Sequence, residues 1–275
     1  VSNHGSSHPV VARLLLQTDE LLQFTHIDRK VKEEVMTVFH DLHRRLLQCH
    51  DIADRIFAER DRTVAAFIGE LGKGNSGIPY VINLEAEAES FLYVAKQYLR
   101  DLVKALNLLL GANLPVDASV WWDKKGGGKS DVVKWATRTY GEQHPTTKMF
   151  AEEDIWVSEL VKKRNAAEHH GGHSGTLVIE NYKFGKDGII APSWRRDGSV
   201  NATPTDIFHD IRVNLENMLT LAEDIVAVAV HQEICNRPIR IAEIPVDQRD
   251  EAKPIRLKAV LADELLRKLP TDQSE

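Results

Sequence analysis

The chain has 275 residues, of which 43% are hydrophobic and 28% charged, and it carries a net charge of −6. That composition is ordinary for a soluble globular protein, and the longest strictly apolar run, Ile225 to Val230, is too short to span a bilayer, so no membrane partner is expected. Two cysteines, Cys49 and Cys235, exclude a disulfide scaffold and a cysteine-based zinc ribbon and fit a reducing cytoplasm, while the acidic balance excludes a broad basic face that grips duplex phosphates.

Residues 1–9 lack a basic region and an apolar run, so they read as a flexible arm rather than a secretory signal. Val11, Leu14, Leu15 and Leu22 then recur with helical period. A longer stripe follows from about Asp28 to Leu71, through Val31, Val35, Val38, Leu42, Leu46, Cys49, Ile52 and Ile56, with charged residues opposite. Residues 72–79 are a loop by composition. Asn83 reads as the N-cap of a helix whose first turns carry Glu85, Glu87 and Glu89, and whose end is Gly111. The three carboxylates suit the helix dipole.

A loop over 112–130 closes on Gly126-Gly127-Gly128-Lys129-Ser130. A phosphate-cradling loop needs a glycine five residues before Gly128 and a strand ahead of it. Asp123 and Trp121-Trp122 stand there instead, which leaves a flexible basic loop. The tryptophans beside Lys124, Lys125 and Lys129 either stack on single-stranded bases or pin the loop to the core, the commoner use. Helices are predicted from about Asp131 to Tyr140 and from near Glu152 into Arg164-Asn165. Beyond Gly171-Gly172 the period changes to that of a β-hairpin, Thr176 to Phe184 and Ile189 to Trp194. A long helix from about Thr205 to Ile234 and two short strands, Ile239 to Ile244 and Ile255 to Val260, complete the chain.

The expected fold is mainly α: an antiparallel helical bundle over 10–235, with a β-hairpin inserted at about 174–196. A small β appendage occupies 236–275. Charge divides unevenly along it. Residues 123–164 carry nine basic and seven acidic side chains, an excess of positive charge where the flanking segments are acidic. A small cationic cleft is therefore allowed there.

His169, His170 and His173 suggest a metal, but Gly171-Gly172 interrupts the helix that would align them, and no ligand spacing of a known metal signature is present. Arg164-Asn165-Ala166-Ala167-Glu168-His169-His170 is more informative. It resembles the signature of the HEPN superfamily (higher eukaryotes and prokaryotes nucleotide-binding): an arginine followed by a polar residue, then a histidine after four to six positions, at the end of a helix in an antiparallel bundle. The resemblance covers roughly residues 84–235. The plainer reading pairs Arg164 with Glu168 one turn on and lets His169 end the helix.

The resemblance implies a metal-independent endoribonuclease that needs no cofactor, with RNA or a nucleotide as ligand. It also implies a composite active site across a homodimer, with an antitoxin or a nucleotidyltransferase as partner. A toxin or defence effector is the role it suggests, and the sparse cysteines make the expected location cytoplasmic. An alternative is a non-catalytic nucleotide-binding or dimerisation module. Cleavage would use His169, or its rival His170, for proton transfer, because an unperturbed imidazole titrates near neutrality. Arg164 would hold the extra charge on phosphorus through its planar fork. Asn165 would orient one or the other. Lys162, Lys163 and Lys148 are the expected RNA-binding residues. On an ideal helix Arg164 and His169 point about 140° apart, so either the helix unwinds after Ala167 or the site is composite. The resemblance favours the composite site.

Overall fold

The computed structural model describes residues 4–123, 128–186, 188–198 and 203–262. The chain is mainly α. Its helices are α1 (Pro9–Val11), α2 (Gln17–Leu22), α3 (Arg29–Gly72), α4 (Leu84–Leu110), α5 (Asp131–Tyr140), α6 (Pro145–Glu168) and α7 (Ile207–Ile234). Among the described residues no helix is long and apolar enough to cross a membrane. The middle of the Gly-rich loop, including Lys124 and Lys125, lies outside the described residues, as do residues 263–275 of the predicted appendage and the first three residues of the arm.

Local chemistry sets the helix ends. Gly111 stops α4 at φ +63, a conformation that costs glycine little. Asn83 does precede α4, but in the left-handed region (φ +57), and its carbonyl takes the Glu87 N–H. Ser130 caps α5 by accepting from the Val133 N–H. α6 begins seven residues earlier than Glu152, the predicted start. His144 Nδ1 accepts the Thr146 N–H at 3.2 Å, and Pro145 fills the first helical position. Histidine is not a usual cap, so the sequence gives little warning of it.

Two compact units emerge. The first comprises 1–44, 101–113 and 219–275. Val10, Leu14, Leu21, Val35, Phe39, Leu102, Leu106 and Ile225 are all buried in it. Between α1 and α2 the chain makes a π-helical turn, Ala12–Leu16, from which Arg13 donates to the fully buried Glu223. Gln17 Nε2 donates to the same carboxylate at 2.8 Å, and Arg256 Nε lies 3.0 Å from it. Gln17 Oε1 accepts both the Arg256 and Leu257 N–H groups at 2.7 Å, which seats the last strand. The predicted C-terminal strands pair antiparallel as β6 (Ile239–Glu243) and β7 (Leu257–Leu261).

The second unit comprises 45–100 and 114–218 and carries the candidate site. Arg45 donates to Gln97 and Arg55 to Glu87, so α3 and α4 run antiparallel within it. Tyr98 is fully buried and donates to the Met218 carbonyl of α7. Trp121 is also buried, and its Nε1 donates to the Leu99 carbonyl at 2.8 Å, so this tryptophan pins the loop to the core.

The predicted hairpin is present but broken. β1 (Thr176–Glu180) pairs with β4 (Ser193–Asp197), and the short β2 (Lys183–Gly185) pairs with β3 (Gly188–Ile190). The first arm breaks at Asn181, whose side chain bonds both the N–H and the carbonyl of Val81. Pro192, with no N–H to give, marks the break in the second arm. β5 (Thr205–Asp206) adds to β4.

Candidate functional site

The C-terminal half of α6 holds Arg164 and Asn165 on residues that face α4. The helix persists through Glu168, and His169 is its C-cap (φ −122, ψ 74), its N–H bonded to the Asn165 carbonyl. The last helical residue is thus one beyond Ala167. Leaving the helix turns His169 away from the direction an ideal helix would impose. Arg164 Nη1 forms an ion pair with Glu168 Oε2, and His169 Nε2 lies 3.3 Å from that same oxygen. Side chains expected on different faces therefore meet at one carboxylate oxygen within a single chain.

Arg164 also stacks its guanidinium 5.5 Å over the Tyr93 ring. Its side chain is only 12% exposed. Burial lowers its pKa from the ordinary arginine value, with Tyr93 working the other way. Asn165 Oδ1 accepts from Lys96 Nζ at 2.7 Å, which fixes the amide. His169 and His170 are exposed.

Arg164, Ala167 and Glu168 form one wall of an open groove of about 810 Å³. Asp51 and Arg55 of α3 and Glu89 and Tyr93 of α4 form the others. The groove is of mixed charge rather than cationic. Glu87, at the predicted dipole position, donates nothing to it directly and instead holds Arg55 through a 2.8 Å bond.

The lysines expected to bind RNA are elsewhere. Lys163 is buried, donates to Asp210 Oδ2 at 3.0 Å and lies 4.7 Å over the Trp194 ring. A phosphate in the groove cannot reach an ammonium so enclosed. Lys162 faces Asp154, whose carboxyl feels its charge. Lys148 is exposed, but sixteen residues before Arg164 it stands about 24 Å away along the helix. None of the three lines the groove.

Lys129 pairs with Glu142 at 2.9 Å and Ser130 serves as a cap, so neither is arranged as in a phosphate loop. Among the described residues no group of three or more His, Cys, Asp or Glu side chains is placed to share a metal ion.

Tyr93 and Lys96 were missed by the sequence reading, and Glu89 was expected only to complement the helix dipole. The apolar stripe of α4 runs through Phe91, Val94 and Tyr98, and Tyr93 lies off it, 52% exposed. An aromatic off the stripe was the available signal. No family model, curated protein or solved structure matches this chain. The groove's own chemistry therefore carries the functional argument.

Proposed function

We propose that the chain is an HEPN-like, metal-independent endoribonuclease, with Arg164, Asn165 and His169 as its working residues. The observation that carries this reading is the meeting of Arg164 and His169 at one carboxylate oxygen on the wall of an open groove. A guanidinium and an imidazole that share a carboxylate oxygen are spaced to share a phosphate oxygen. In the reaction the RNA 2′-OH loses its proton and attacks the adjacent phosphorus. The bond to the 5′-oxygen breaks, and that oxygen takes a proton. The products are a 2′,3′-cyclic phosphate and a 5′-hydroxyl. His169 moves the proton, with exposed His170 beside it as the second candidate, and Arg164 holds the charge that builds on the phosphoryl oxygens. Asn165, its oxygen held by Lys96, supplies its amide N–H₂ as a donor to the phosphate or the imidazole on this reading. Two copies facing each other complete the cleft on this reading.

Purified protein is expected to cut single-stranded RNA in EDTA and leave cyclic phosphate ends, identified by mass spectrometry. Arg164→Ala and His169→Ala should each slow cleavage about 10²-fold or more. An EDTA-treated protein inert on several RNAs, with both variants indistinguishable from it, sinks the reading.

The acidic members of the groove, Asp51 and Glu89, favour a second reading. In it the site binds a nucleotide, a second copy, or an antitoxin or nucleotidyltransferase partner without cleavage. Arg164→Ala then weakens ligand binding by calorimetry or dimerisation by sedimentation, while no RNA is cut.

A further inference from the structure

Glu168 holds the position between Arg164 and His169 that an incoming anion needs. Arg164 Nη1 and the His169 Nε2 at 3.3 Å both address its Oε2. The placement is poor for the helix itself. Glu168 is the last residue of α6, where the helix presents the negative end of its dipole and a carboxylate is disfavoured. Its partner Arg164 lies four residues towards the N-terminus, the weaker order for such a pair. The side chain is 43% exposed, so it can rotate into water with little loss of packing. Arg164 and His169 thus hold Glu168 in place, at a helix position that disfavours a carboxylate.

We propose that Glu168 is a built-in competitor: its carboxylate fills the oxyanion position in the free protein and swings out when a phosphate group binds. This rests on the phosphate-binding reading of the same site. Arg164 has a second contact, its guanidinium 5.5 Å over the Tyr93 ring, which does not involve Glu168 and remains when the carboxylate leaves. The competitor also selects. A phosphate with two oxygens to offer displaces a single carboxylate oxygen, whereas a weakly coordinating monoanion does not. Apparent affinity is reduced by the fraction of molecules in which the carboxylate is seated.

The test is calorimetric titration of the full chain with inorganic phosphate, alongside RNA cleavage in EDTA. Glu168→Ala should bind phosphate about fivefold more tightly than the unaltered protein, and Glu168→Gln somewhat less so. Replacing Arg164 as well should abolish the gain. Glu89→Gln removes a charge from the same groove and should change affinity less than twofold. Unchanged or weaker binding in a Glu168→Ala variant that circular dichroism shows to be folded overturns the proposal. So does an equal gain in Glu89→Gln, or a gain that survives loss of Arg164, since either reports bulk charge alone. If Glu168→Ala gains phosphate affinity through Arg164 and no variant cuts RNA, the competitor stands and the nuclease reading falls. If the unaltered protein cuts RNA and Glu168→Ala gains no affinity, the nuclease reading stands and the competitor falls.

Discussion

Adjacent residues on α6 have opposite fates, and their side-chain types do not reveal which. Lys162 and Lys163 look alike in sequence, yet Lys163 is buried beneath Trp194 and beside Asp210, partners 31 and 47 residues further along the chain. Arg164 and Glu168 pair locally, and that pairing was legible from their spacing alone. The convergence of His169 on the same oxygen was not, because it depends on the helix ending at Glu168 and on the C-cap dihedrals. Asp154, on the same helix, offers a test at this scale. Burial raises its carboxyl pKa, opposed by hydrogen bonds from Ser130 and the charge of Lys162, and its Oδ1 has no partner among the described residues. A carboxyl with a raised folded pKa stabilises the protein below its unfolded value and costs stability as the pH rises through the folded one. Asp154→Asn should therefore raise the melting temperature by about 2 °C at pH 7, and the gain should vanish near pH 3. Differential scanning calorimetry at the two pH values checks both the sign and the disappearance.

At the scale of elements, the parts set by local chemistry were the most legible. α5 runs from Asp131 to Tyr140 as predicted, because Ser130 caps it and Gly141, at φ +92, stops it. The break in the hairpin was hidden, since it follows from Asn181 reaching a backbone 100 residues away. The turn that leads from α6 into β1 depends on Gly175. Its φ is +80, and a Cβ there would lie 2.2 Å from the Asp197 carbonyl oxygen. Gly175→Ala should cost about 2 kcal/mol or more, from the combined backbone strain and clash. It should act by parting the Thr176–Asp197 end of the β1–β4 ladder. Urea unfolding would show the loss. Hydrogen exchange should place it in β1 and β4, leaving β6 and β7 as slow as before.

At the scale of the whole molecule, the net charge of −6 hid how each unit encloses charge of its own. In the second unit, burial pushes the Asp210 carboxyl upward. The Thr205 hydrogen bond, the Lys163 charge and the Trp194 bond outweigh it and leave its pKa below the ordinary value. In the first unit, burial wins at Asp224 and holds its pKa above the ordinary value, against Arg256. The two respond to acid with opposite sign. A carboxyl depressed in the folded state contributes stability above its unfolded value, about 3.9, and loses it as the pH falls through the folded value. A carboxyl raised in the folded state is relieved by protonation over the same fall. The five tryptophans, Trp121, Trp122, Trp135, Trp156 and Trp194, all belong to the second unit. Tryptophan fluorescence therefore reports that unit alone, while far-ultraviolet circular dichroism reports both. On titration below about pH 4, the loss at Asp210 should exceed the relief at Asp154 in the same unit, so the fluorescence transition should run ahead of the dichroism. Asp210→Asn leaves Lys163 without its countercharge, which should lower the stability of the second unit by roughly 1–3 kcal/mol at pH 7. It should also flatten the acid dependence of the fluorescence transition, because the group that titrates is gone. Coincident transitions by both probes, or an acid dependence unaltered in Asp210→Asn, would show that some other carboxyl governs acid unfolding.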